Sequence, residues 1–70
     1  MEFKPGERVQ VRQRGTLYIG GLTLTNNIFS NVEVVRRNKD GTYQIRGIIR
    51  TPESDEVTIP AAWIEPLKSA

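Results

Sequence analysis

Arginine is the residue type through which this chain could do chemistry, because the sequence contains no histidine and no cysteine. The commonest general base, the thiol nucleophile and the soft metal ligands are therefore absent. Ser30, Ser54 and Ser69 stand in turn or terminal contexts with no lysine base nearby, where a hydroxyl serves as a turn or cap hydrogen-bonding group. Glu53, Asp55 and Glu56 crowd together but lack the spaced oxygen ligands and ordered glycine of a calcium loop, so they form a solvated acidic turn. The expectation is a non-enzymatic protein with no cofactor, no metal and no small-molecule substrate.

The arginines are better organised. Arg8 and Arg12 share one face of a strand, and Arg37, Arg46 and Arg50 share the outward face of a central hairpin. Guanidinium forks in that arrangement suit phosphate oxygens, with Tyr18 as the one ring placed for stacking. So few free aromatics imply weak, phosphate-directed contact without base reading, since stacking contributes about 1–3 kcal/mol per base in single-strand binders.

Charge is segregated along the chain. Residues 8–50 hold eight basic and two acidic residues, whereas residues 53–65 hold four acids and no base. Such a split either produces a dipolar surface or cancels when the fold lays the acidic segment beside the basic strands. A protein partner or self-association is the alternative function: Val35 and Ile48 fall on the outward hairpin face among the arginines, as an apolar interface centre with a polar rim would. Salt separates the two, because phosphate binding weakens as counterions compete and an apolar patch persists.

The elements that must position these side chains are short strands. Residues 7–13 alternate, with Val9 and Val11 on one side and Arg8, Gln10 and Arg12 on the other, the period of a half-buried strand. Pro5-Gly6 is the turn before it. Residues 16–25 predict a tight hairpin turning at Gly20-Gly21, pairing Ile19 with Leu22, Leu17 with Leu24 and Tyr18 with Thr23, its apolar face inward. Residues 30–37 and 42–50 predict a second hairpin around Asn38-Lys39-Asp40-Gly41. A four-residue loop sets Val34 against Ile45, Val35 against Gln44, Arg36 against Tyr43 and Glu33 against Arg46; a three-residue loop sets Val34 against Arg46. Residues 56–59 form a strand stopped by Pro60, then comes one helical or 3-10 turn, and Ile64 with Leu67 resumes a last strand.

This order, a long first excursion, a tight central hairpin and one turn before the last strand, resembles that of Src-homology-3-like small β-barrels. Val57-Thr58-Ile59-Pro60-Ala61-Ala62-Trp63-Ile64 is similar to the closing segment of such domains, and Gly6-Glu7-Arg8-Val9-Gln10-Val11 to their opening strand. The resemblance implies an all-β, five-to-six-stranded antiparallel barrel over residues 1–70, its body at about 5–67. Val9, Val11, Val32, Val34, Ile45, Val57, Ile59, Trp63, Ile64 and Leu67 would form its core. Some related barrels bind nucleic acid through basic surfaces. Members that grip Pro-rich peptide do so with aromatic ridges, and here Val34-Val35 stands where a tryptophan pair is expected. The closing strand also bears some likeness to plasmid-type dihydrofolate reductases, a remote enzymatic alternative, but Thr58 and Pro60 occupy the offsets where that family places glutamine and tyrosine. No apolar run approaches the roughly 20 residues needed to span a bilayer, so a cytoplasmic protein off the membrane is expected.

Overall fold

The structure, a computed structural model, describes residues 2–19, 21–48 and 55–67. The expectations for Gly20, Arg50, Glu53, Ser54 and Ser69 lie outside the described residues. Among the described residues the chain is all-β with one 3-10 turn. Its strands are β1 (Arg8–Arg12), β2 (Leu17–Ile19), β3 (Leu22–Leu24), β4 (Ile28–Arg37), β5 (Tyr43–Arg46), β6 (Glu56–Ile59) and β7 (Ile64–Pro66), with the 3-10 turn at Ala61–Trp63 before the last.

The expected Src-homology-3-like barrel does not form. One sheet is five-stranded and open, in the order β6-β5-β4-β1-β7, and the β2–β3 hairpin is a second sheet by itself. Closing a barrel requires a ladder between the two edge strands, here β6 and β7. Both are short, β6 running into Pro60 and β7 ending at Pro66, and proline has no N–H to give a ladder. The strands number seven among the described residues because the first excursion pairs with itself as β2 and β3.

Local sequence explains the elements. Lys4-Pro5-Gly6-Glu7 closes a turn through the Glu7 N–H on the Lys4 carbonyl at 3.0 Å, with Gly6 at φ +88°, the left-handed third position that favours glycine. It delivers β1 between β4 and β7, where Val9 and Val11 are buried on both sides. The β2–β3 hairpin has the expected pairs, Leu17 with Leu24, Tyr18 with Thr23 and Ile19 with Leu22. Its apolar face is only partly inward: Leu17 and Ile19 pack on the core, whereas Leu22 is exposed.

The β4–β5 hairpin combines the two registers its sequence allows. Near the turn, Asn38 donates its N–H to the Thr42 carbonyl at 2.7 Å, and Arg37 lies opposite Tyr43 and Arg36 opposite Gln44. This is the three-residue loop, with Gly41 at φ +89°. A bulge between Val34 and Arg36 then shifts the ladder by one, so Val34 meets Ile45 and Glu33 meets Arg46 as a four-residue loop would place them. The expected pairs of Val35 with Gln44 and Arg36 with Tyr43 are therefore replaced. A second bulge in β4, opposite the Val9–Val11 step of β1, includes Asn31 at φ +58°. Bulges bend a strand and raise its twist, and two in the longest strand curve the sheet around its apolar face.

That face carries the core: Phe3, Val9, Val11, Val32, Val34, Tyr43, Ile45, Val57, Ile59 and Ile64. Two expected members fall away. Leu67 is 39% exposed because it lies past the last ladder pair, and Trp63 is half-buried in a 3-10 turn that buries none of its residues. Phe3 and Tyr43 meet edge to face at 5.8 Å, and the Phe3 N–H donates to the Tyr43 hydroxyl at 3.2 Å.

In the β4–β5 turn, Asp40 accepts hydrogen bonds from the Thr42 hydroxyl at 2.6 Å and the Thr42 N–H at 3.0 Å. The hydroxyl bond, then the backbone bond, holds its carboxyl below the ordinary value of 3.8. A carboxylate depressed by folding contributes stability that is fully present above the unfolded value and is lost as pH falls through the folded one. Asp40→Asn should therefore flatten part of the acid limb of the stability profile, seen as a smaller difference between urea midpoints at about pH 5.5 and about pH 2.5 than in the parent.

Candidate interaction surface

The outward face of the large sheet is where the strand arginines sit, and register decides what each one meets. Arg8 lies opposite Glu33, Glu33 opposite Arg46, and Arg46 opposite Glu56. A row of alternating charge thus crosses β1, β4, β5 and β6. Arg46 is its hub, with Asp55 at 3.4 Å, Glu56 at 3.8 Å and Glu33 at 3.9 Å. Arg36 reaches Glu56 at 3.3 Å. Toward the other edge, Arg12 reaches Glu65 at 3.2 Å, and Gln10 donates to the same carboxylate at 2.6 Å. Arg37 meets Glu2 at 3.6 Å.

All these groups are partly exposed, so each pair stabilises the fold by about 1 kcal/mol at most. Their larger effect is neutralisation. Asp55, Glu56 and Glu65 lie beside the basic strands and pair with Arg12, Arg36 and Arg46, which weakens the field a phosphate backbone would follow.

The other expected site residues are distributed as follows. The bulge puts Arg36, rather than Arg37, on the outward face beside Gln44, and Arg37 opposite the buried Tyr43 turns instead to Glu2. Val35 is the bulged residue and is half-buried, and Ile48 packs against the core. They do not form an exposed apolar centre among arginines. Arg8 is exposed, and its guanidinium donates to the Asn31 carbonyl at 3.3 Å. Tyr18 is 79% exposed on the β2–β3 hairpin, and Arg50 lies outside the described residues.

A different surface stands out at the excursion. Besides Tyr18, Leu22 is 57% and Ile28 54% exposed, so three of the four large exposed apolar side chains among the described residues belong to the excursion or the strand entry just after it. Its base is fastened by Gln13, the one buried polar residue described. The Gln13 amide donates to the carbonyls of Gly15, at 2.6 Å, and Leu24, and its oxygen accepts the Asn27 N–H at 3.3 Å. Gln13 also gives its backbone N–H to the Asn27 carbonyl at 2.9 Å. Next to it, the Trp63 ring lies so close to Gly15 that a Cβ there would come within 3.2 Å of ring carbon Cζ2. Between these two anchors stands Arg14, exposed and without a hydrogen bond or ion pair among the described residues.

No family model, no curated protein and no solved structure matches the chain. Among the described residues no helix is long and apolar enough to cross a membrane.

Sequence reasoning overlooked Gln13 and Arg14, and it placed Leu22 on the inward hairpin face and Ile28 in the core, where the structure exposes both. Gln13 had a signal, since it continues the inward phase of Val9 and Val11, and a polar residue in phase with a core is hydrogen-bonded or costly. Arg14 had one as well: no acidic residue occurs from Arg8 to Val32. Leu22 carried none, because its alternation is the same as that of the packed Leu17.

Proposed function

We propose that the chain is a non-enzymatic binding module of the cytoplasm that engages a protein partner through the end formed by the β2–β3 excursion. The observation that carries this reading is the exposure of Tyr18, Leu22 and Ile28 on and beside a hairpin whose base is pinned by the part-buried hydrogen bonds of Gln13. Exposed rings and aliphatic groups on a fixed backbone lose little freedom on binding, and aromatic residues are enriched in interface centres. Phosphate contact through Arg8, Arg12, Arg37 and Arg46 is the weaker alternative, since three of the four meet a carboxylate of the chain itself.

NMR titration with short single- and double-stranded oligonucleotides at two salt concentrations separates the readings. The expected result is at most a weak response, with a logarithmic salt slope of about one, as for a single phosphate contact. Shifts spread across Arg12, Arg36 and Arg46 with a slope of about three or more would reject the protein-partner reading.

A further inference from the structure

We infer that the partner met by the excursion is acidic, and that Arg14 receives one of its carboxylates. This rests on the reading that the excursion is the contact surface. Arg12, Arg36, Arg37 and Arg46 already face carboxylates of the chain, and Arg8 is bonded to a carbonyl. Arg14 is exposed and has no hydrogen bond or ion pair among the described residues. It stands where no carboxylate is supplied locally, because residues 8–32 contain no Asp or Glu. The backbone on either side is held by the buried Gln13 and by Gly15 under the Trp63 ring, so the guanidinium is presented from a fixed point. A charge in that position is paired bidentately by a single carboxylate. A polyphosphate chain would instead need several unpaired cations spaced along it. Tyr18, four residues further on and exposed on the hairpin, offers apolar contact, so the matching partner segment carries acidic residues with an aliphatic or aromatic one a few residues away.

The test is a selection of short random peptides displayed on phage against the intact chain, with each selected peptide measured afterwards against the parent and Arg14→Gln. Arg14 is exposed and unpaired among the described residues, so the variant should melt at the parent's temperature. Selected peptides are expected to be enriched in Asp or Glu beside apolar residues and to lose about tenfold in affinity with Arg14→Gln, as for a charge-assisted pair of about 1.4 kcal/mol. Tyr18→Ser should weaken the same peptides. Peptides that shift the amides of residues 14–28 but are neutral or basic, or are indifferent to Arg14→Gln, would overturn the acidic assignment and leave the excursion as the contact surface. Peptides that shift amides elsewhere, or a selection without any binder, would overturn both.

Discussion

Tyr43→Ala should remove about half of the chain's stability. The ring is fully buried, meets Phe3 edge to face at 5.8 Å, and its hydroxyl accepts the Phe3 N–H. Truncating a buried aromatic costs about 3–5 kcal/mol through lost transfer energy and the cavity left behind. A chain of this length has a total stability of about 4–10 kcal/mol. The same change also frees the segment before β1, because the Phe3 ring and N–H both lose their partner. Tyr43→Phe isolates the hydrogen bond and should cost about 1–2 kcal/mol, the price of one unpaired buried N–H. Urea unfolding followed by circular dichroism checks both. A loss below about 1 kcal/mol for the alanine variant would mean that the ring contributes little to the core.

Gln13→Glu should be nearly as damaging, for an electrostatic reason. The amide nitrogen of Gln13 donates to two backbone carbonyls, and a carboxylate of the same shape would aim an acceptor at them from a buried site. An uncompensated buried charge costs about 3–5 kcal/mol, unless the group takes up a proton. Burial raises the folded pKa of such a glutamate above its unfolded value, so the variant should be least impaired at acid pH and lose stability as pH rises between the two. Urea midpoints at about pH 4 and about pH 7 measure this, and a variant equally stable at both would show that the side chain has turned to water. Gln13→Leu removes the charge but leaves the Gly15 and Leu24 carbonyls without their donor. Faster hydrogen exchange confined to residues 14–27 is its expected signature.

Much of this architecture was legible because period and turn chemistry act locally. The alternation around Val9 and Val11, the pairing of Leu17 with Leu24 and the break at Pro60 each follow from a few neighbouring residues, and each occurs as expected. Barrel closure was not legible in the same way, since it depends on whether two edges distant in sequence meet over enough ladder positions. Charge placement failed through a single residue. The bulge at Val35 exchanges Arg36 for Arg37 on the outward face and half-buries Val35 itself. An alternating pattern reverses faces after any one-residue shift, so an assignment built on Arg37, Val35 and Ile48 depended on a register that sequence alone left open. Neutralisation of the arginines depended in turn on β6 lying beside β5.

That bulge also bears on how the chain could vary in length. With Val35 in place, the ladder near the turn follows one register and the ladder at the core another. Deleting Val35 would leave Arg36 opposite Gln44 and Val34 opposite Ile45 as consecutive rungs of an unbroken hairpin. Lengthening the turn by one residue while losing the bulge would keep Val34 against Ile45 as well. The hairpin thus has one single-residue deletion, and one exchange of the bulge for a longer turn at unchanged length, along which the apolar rungs keep their partners. The deletion costs a half-buried valine and local twist, and the exchange changes which arginine faces outward, while in both the core rungs stay in phase.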